Sequence, residues 1–144
     1  MEPFKRVSVE EAVSLLEQGY VYVDVRSEPE FEEGHVPGAL NVPIELAAAS
    51  GRAPNDEFLA VMCAAFSKTD KLLLGCRSGA RSLKAARLLS EAGFSSLCEL
   101  KTGFVGSKDA FGRSEPGWSR KGLPIETGKP SGRCYADVKL KNAR

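Results

Sequence analysis

The chain has 144 residues, a length typical of one domain that buries roughly two thirds of its unfolded surface. Its 20 lysines and arginines nearly balance 19 aspartates and glutamates, which gives no basis for expecting a nucleic-acid or membrane surface. The four cysteines are too few and too far apart for a disulfide framework or a zinc site. We therefore expect a protein of a reducing compartment, with no metal and no organic cofactor.

The first residues lack the apolar core of a signal peptide, and folded patterning begins almost at once. No stretch approaches the roughly 20 apolar residues of a membrane span. These features predict a cytoplasmic protein or the processed form of an organellar one.

The N-terminal third predicts a helix followed by two strands. Ser8 and Glu11 form a capping-box pattern, and apolar residues recur at helical spacing until Gly19. Residues 20–25 are rich in β-branched and aromatic side chains, as in a strand buried on both faces. Turns and a brief helical piece around Phe31 then lead to a short strand over residues 39–42.

The middle of the chain repeats the alternation of helix and strand. Asn55 is a predicted N-cap of a second helix, in which we expect Cys63 to pack in or beside the apolar face. A central strand over residues 71–75, a helix over 82–92 and a further strand over 96–100 follow. Alternating strands and helices predict an α/β domain, with a mainly parallel central sheet and helices on both faces.

Cys76 lies where the central strand ends and the next helix begins. The loop from Cys76 to Arg81 presents backbone N–H groups at the positive end of a helix, a setting that lowers a thiol pKa and binds anions. The guanidinium groups of Arg77 and Arg81 can pair with a tetrahedral oxyanion. Reactivity is therefore favoured over the plainer interpretation of Cys76 as a half-buried structural cysteine.

Three segments resemble signatures of the rhodanese, or single-domain sulfurtransferase, family, in the right order and at the right separations. They are Asp24-Val25-Arg26 with Glu30-Phe31, Gly34-His35-Val36-Pro37-Gly38-Ala39-Leu40-Asn41-Val42-Pro43, and Cys76-Arg77-Ser78-Gly79-Ala80-Arg81-Ser82. The resemblance covers residues 7–104, with a weaker match to residue 125. It implies a small rhodanese-like domain that moves a sulfane sulfur from thiosulfate or a related donor to a small thiol, a protein thiol or cyanide.

The resemblance implies that Cys76 is the nucleophile and carries the sulfur as a persulfide. The backbone N–H groups of the loop residues then stabilise the anionic sulfur, so the predicted substrate-binding residues are Arg77, Ser78, Gly79, Ala80 and Arg81. Arg81 either contacts substrate or bonds a carboxylate such as Asp24. Asp24 and Arg26 are supporting residues that line the site or tie its loops together, and His35 is expected to be architectural.

The length of the cysteine loop bears on whether the protein could act as a phosphatase or an arsenate reductase. Related phosphatases and some arsenate reductases place five residues between cysteine and arginine, whereas four separate Cys76 from Arg81 here, and position 82 is serine. Phosphatase activity is therefore disfavoured, and arsenate reduction is a lesser alternative.

The C-terminal part departs from the family pattern. Residues 1–125 are predicted to form the domain, with an insertion around 105–117, and residues 126–144 a polar, loose extension. Either segment is a candidate contact for a protein partner. This supports an alternative function as a non-catalytic subunit or docking module of a larger assembly.

Overall fold

A computed structural model describes residues 3–141. Its central sheet has five strands in the order β1-β7-β6-β2-β3, and every neighbouring pair is parallel. The five strands are β1 (Lys5–Val7), β2 (Val21–Asp24), β3 (Leu40–Asn41), β6 (Leu72–Gly75) and β7 (Leu97–Leu100). This confirms the predicted mainly parallel sheet.

Five helices cover the two faces of the sheet: α1 (Val9–Glu17), α2 (Glu28–Glu33), α3 (Phe58–Ala65), α4 (Ala80–Glu91) and α5 (Tyr135–Lys141). The capping box of Ser8 and Glu11 begins α1 as predicted, and a second box of Ser27 and Glu30 begins α2. The N-cap of α3 is Glu57 and not the predicted Asn55. The Asn55 side chain instead accepts a hydrogen bond from the Glu57 N–H and donates to the Pro43 carbonyl and the Tyr135 hydroxyl.

Two apolar clusters fill the space on either side of the sheet. One contains Leu72, Leu74 and Cys76 together with residues of α3, α4 and α5. The other packs Leu73 and Tyr22 against α1, α2 and residues near Trp118. Alternate residues of β6 therefore serve opposite faces, which explains why this strand is apolar throughout.

Two small antiparallel hairpins lie outside the central sheet. The first pairs β4 (Glu45–Ala48) with β5 (Gly51–Pro54), and the second pairs β8 (Gly106–Lys108) with β9 (Ser114–Pro116). The second occupies the segment interpreted as an insertion. None of the helices within residues 3–141 is both long enough and apolar enough to cross a membrane.

The expectation of a loose extension after residue 125 is wrong for the part that the structure describes. Tyr135 and Val138 of α5 are buried in the core. Glu126 bridges to His35 through the backbone and holds Arg133 with two charged hydrogen bonds of 2.7 and 2.8 Å. The segment thus packs on the domain, while residues 142–144 lie outside the described part.

The predicted burial is confirmed for one cysteine and is wrong for another. Cys98 of β7 is buried, as predicted, and burial raises the pKa of its thiol. Cys63 is exposed on α3, so its expected place against the core is wrong. The apolar face of α3 is instead formed by Phe58, Val61 and Met62.

Candidate functional site

Cys76 follows β6 directly, at the carboxyl edge of the sheet. The side chain is 1% exposed, and its Sγ accepts a hydrogen bond of 3.1 Å from the backbone N–H of Gly79. Gly79 is the N-cap residue of α4, so this bond brings the sulfur to the positive end of a 12-residue helix. Such a position stabilises negative charge on the sulfur.

Gly79 is required by the shape of the loop. Its φ is +100°, in the left-handed region that favours glycine. A Cβ at this position would overlap the backbone carbonyl oxygen of Lys101. The tight curvature predicted for the loop is therefore present, and the segment after β7 encloses it.

Arg81 is held by a carboxylate, but not by the one suggested from the sequence. Its guanidinium binds Glu30 of α2 through two hydrogen bonds of 2.7 and 2.9 Å, whereas Asp24 is engaged elsewhere. Burial opposes the charge of Glu30, but the bonds from Arg81 and Ser27 outweigh it and lower the pKa of the Glu30 carboxyl to about 2. The pair ties the start of α4 to α2.

Asp24 and Arg26 form a buried ion pair that ties neighbouring loops together. The Arg26 guanidinium bonds Asp24 at 2.7 to 3.1 Å and the Gly34 carbonyl at 2.7 Å. It also lies 4.5 Å from the centre of the Phe104 ring. Asn41 donates to the backbone carbonyls of both Asp24 and Arg26.

An open cleft of about 460 Å³ borders the loop, and its lining is rich in charge. Arg77, Arg52 and the paired Arg26 supply cations, while Glu33 and Glu30 supply anions. Glu30 lies 3.7 Å from Arg52. Arg77 and Arg81 therefore differ in position, because Arg77 is exposed at the cleft and Arg81 is engaged by Glu30. Sequence reasoning did not single out Arg52, which the β4–β5 hairpin brings to the cleft.

Ser78 and Ala80 are exposed positions of the loop. Ser78 also lines a second open region, beside the β8–β9 hairpin and Arg120. The base of this hairpin is joined to the cysteine loop, because the Phe104 and Val105 N–H groups donate to the carbonyls of Cys76 and Arg77 at 2.8 and 2.9 Å. The interpreted insertion therefore lies next to the site.

His35 is fully buried in a structural network. Its ring stacks on Phe31 with 3.7 Å between the centroids. Nδ1 lies 2.6 Å from the Phe31 carbonyl and Nε2 lies 2.9 Å from Glu126. These contacts favour the architectural interpretation.

Sequence reasoning also missed a buried charge. Glu99 of β7 is 0% exposed and bonds Arg6 of β1 and Ser82 of α4. The signal was available, because a glutamate interrupts an otherwise apolar strand. Across residues 3–141 no group of three or more histidine, cysteine or acidic side chains is placed to hold a metal ion.

The fold and the site define a class of α/β domain with a cysteine loop between a parallel strand and the helix that follows it. A family model described as "Rhodanese-like domain" matches residues 8–110. The chain belongs to the rhodanese-like family.

Named relatives lie within this family. Thiosulfate sulfurtransferase 16, chloroplastic, from Arabidopsis thaliana is 40% identical over 120 residues, covering 83% of this chain and 91% of that protein. Thiosulfate sulfurtransferase 18 from the same plant is 40% identical over 101 residues, covering 69% and 74%. The crystal structure of Rv0390 from M. tuberculosis superposes with a TM-score of 0.64 at 29% identity, covering 86% of this chain and 100% of that one.

Proposed function

We propose that the chain is a sulfurtransferase that accepts a sulfane sulfur from thiosulfate, or a related donor, as a persulfide on Cys76. The observation that carries the proposal is the 3.1 Å hydrogen bond from the Gly79 N–H to the Cys76 Sγ at the start of α4. The names of the two relatives that are 40% identical point to the same chemistry.

This geometry supports a first half-reaction on Cys76. The Cys76 thiolate attacks the outer sulfur of thiosulfate, the sulfur–sulfur bond of the donor breaks, and sulfite leaves with the bonding electron pair. Arg77 binds the sulfonate end of the donor at the cleft. The helix end and the loop N–H groups stabilise the terminal sulfur of the persulfide, which is anionic.

In the second half-reaction an acceptor thiolate or cyanide attacks the terminal sulfur and releases the Cys76 thiolate. The open cleft gives a small acceptor a route to the loop. A protein thiol would meet the β8–β9 hairpin, because its base is bonded to the loop.

The test is steady-state sulfur transfer from thiosulfate to cyanide, measured as thiocyanate. We expect turnover by the wild type and none by Cys76→Ser, which keeps a small polar side chain but removes the nucleophile. Activity on an aryl phosphate and on arsenate is measured alongside. We expect no phosphatase activity, because the loop places only four residues between Cys76 and Arg81. Reduction of arsenate would favour the lesser alternative.

The second candidate function is a docking module. The observation that favours it is Phe111 at the tip of the β8–β9 hairpin, with 82% of its surface exposed. In that case the purified protein would transfer no sulfur, and protection of the hairpin from hydrogen exchange would appear only in a complex.

The relatives also bear on the cell compartment in which the protein acts. The name of thiosulfate sulfurtransferase 16 places that protein in the chloroplast. This favours the processed organellar form over the cytoplasmic one as the first location to test.

A further inference from the structure

Ser82 connects the sulfur of Cys76 to a buried carboxylate. The Cys76 S–H donates to the Ser82 Oγ at 3.5 Å. The Ser82 Oγ lies 3.2 Å from Glu99 Oε1 and 3.3 Å from the Gly79 carbonyl oxygen, so its one hydrogen is shared between these two acceptors, of which only Glu99 can take up a proton. All three side chains are at most 1% exposed. The hydrogen bonds therefore form a continuous path from the thiol to Glu99 that is shielded from water.

Arg6 fixes the far end of this path. It bonds both carboxylate oxygens of Glu99 at 3.0 Å and the Gly79 carbonyl at 3.0 Å. Arg6 and Glu99 are direct partners in the register of β1 and β7. One guanidinium thus sets the position of the carboxylate relative to the cysteine loop.

A buried thiol has few ways to lose its proton. Cys76 is 1% exposed, so bulk water has little access to it. A nucleophile bonded to a second group, itself oriented by a third, is the arrangement by which enzymes activate serine and cysteine. Here the second group is a hydroxyl and the third a carboxylate.

We propose that Ser82 and Glu99 form a proton relay for Cys76, with Arg6 as the residue that positions Glu99. The proposal rests on the sulfurtransferase function. In the relay the Cys76 S–H bond breaks and its electron pair stays on Sγ. Ser82 takes that proton on Oγ and passes its own hydroxyl proton to Glu99 Oε1.

The relay conserves charge through both half-reactions. With thiosulfate, the thiol and the Glu99 carboxylate yield sulfite, the anionic persulfide and protonated Glu99. When the acceptor removes the sulfur, the Cys76 thiolate takes the proton back through Ser82. No external acid or base is consumed.

Other charged and titratable groups face this cluster from the neighbouring elements. Arg6 bonds Glu99 from β1, and Tyr22 of β2 interacts electrostatically with both Cys76 and Glu99. Arg81 of α4 interacts with Cys76, while Asp24 and Arg26 act on Tyr22. Burial, followed by the charge of Asp24, raises the pKa of Tyr22, which keeps the phenol neutral. None of these substitutes for Glu99 in the bonded path from Ser82.

The test is the rate at which Cys76 takes up sulfur from thiosulfate in a single turnover, quenched with acid and measured by intact mass from pH 6 to pH 9. Glu99→Gln can still accept a bond from Ser82 but cannot take a proton. We expect it to load about 100-fold more slowly at pH 6 and to approach the wild type at pH 9, where hydroxide is about a thousandfold more concentrated and removes the proton even from a thiol that solvent reaches rarely. Glu115→Gln on β9 is the matched control and should load like the wild type.

Ser82→Ala breaks the path at its centre, and it tests the relay even if Glu99→Gln fails to fold. Ser82→Ala should show the same pH-dependent deficit as Glu99→Gln, whereas Ser82→Thr, which keeps the hydroxyl, should load at nearly the wild-type rate. The double variant Ser82→Ala with Glu99→Gln should be no slower than either single variant, because both interrupt the same path. A deficit that stays constant from pH 6 to pH 9, or no deficit, would overturn the relay.

Alkylation of Cys76 by iodoacetamide, followed by peptide mass, separates this proposal from the proposed function. The same pH-dependent deficit in alkylation is expected whether or not thiosulfate is a donor. If the variants show this deficit in alkylation but the wild type takes up no sulfur from thiosulfate, the sulfurtransferase function is overturned and the relay is supported.

Discussion

At the scale of the residue, the arginines around the cysteine loop differ in their partners. Arg81 is paired with Glu30, and Arg26 is paired with Asp24, so both stabilise the loops. Arg77 lines the cleft beside Arg52. We therefore propose that Arg77 binds the donor, with Arg52 as a secondary cation.

Arg77→Ala tests this proposal. We expect the KM for thiosulfate to rise about tenfold with kcat nearly unchanged, since a charged hydrogen bond is worth about 1.5–3 kcal/mol and this one is partly screened by water. Steady-state kinetics at two salt concentrations measure the effect. Arg120→Ala, in the second open region that Ser78 also lines, serves as the control, and equal changes in both variants would contradict the proposed role of Arg77.

Glu30→Gln tests the loop-holding role. A carboxyl whose pKa is lowered on folding adds stability above its unfolded pKa, and that contribution disappears as pH falls through the folded value. The pKa of about 2 for Glu30 places this loss between about pH 4.5 and pH 2.

The wild type should therefore exceed Glu30→Gln in free energy of unfolding by at most about 3 kcal/mol at pH 7, and by progressively less below pH 4.5. Urea unfolding at a series of pH values measures the difference. A gap that does not shrink on acidification would show that the charge of Glu30 is not its source.

At the scale of the element, the β8–β9 hairpin extends the site. Asp109 orders its turn by accepting the N–H groups of Phe111 and Arg113 at 2.8 and 2.9 Å. The Arg113 guanidinium lies 5.1 Å from the centre of the Phe111 ring. An ordered turn that presents an exposed aromatic ring is a suitable surface for a protein acceptor.

Phe111→Ser should change neither the stability nor the thiosulfate-to-cyanide turnover, because the ring is exposed and small substrates need only the cleft. Thermal unfolding and the thiocyanate assay provide the two readouts. Slower turnover with cyanide would mean that the ring takes part in the chemistry of small molecules.

At the scale of the whole molecule, the C-terminal segment completes the core. Tyr135 lies in the cluster on the α3 and α4 side of the sheet, and its hydroxyl accepts a hydrogen bond of 3.0 Å from Asn55. The Arg133–Glu126 pair joins the same segment to His35. Tyr135 and Val138 thus share the core of the domain predicted over residues 1–125.

Tyr135→Ala should lower the free energy of unfolding by about 3 kcal/mol, since it empties a buried aromatic site. Leu140→Ala is the matched control on the same helix, where 77% of the side chain is exposed, and should cost less than about 0.5 kcal/mol. Chemical denaturation compares the two. Equal losses would show that α5 does not contribute to the core as described.

Local patterns predicted the main elements of the fold, because each depends on residues close in the chain. The capping box at Ser8 and the apolar strand before Cys76 are of this kind. What the sequence did not reveal depends on distant partners, such as the pairing of Arg81 with Glu30 and the burial of Glu99 against Arg6. The composition after residue 126 is polar overall, so no helix was predicted there. Tyr135 and Val138 nevertheless form the apolar face of the amphipathic helix α5.

The central claim is that Cys76 carries the transferred sulfur. The most direct measurement is intact mass under non-reducing conditions after incubation with thiosulfate and then cyanide, for the wild type and Cys76→Ser. We predict a gain of one sulfur atom on the wild type alone, removed by cyanide as thiocyanate. No gain on a folded and reduced wild type, or an equal gain on Cys76→Ser, would contradict the account.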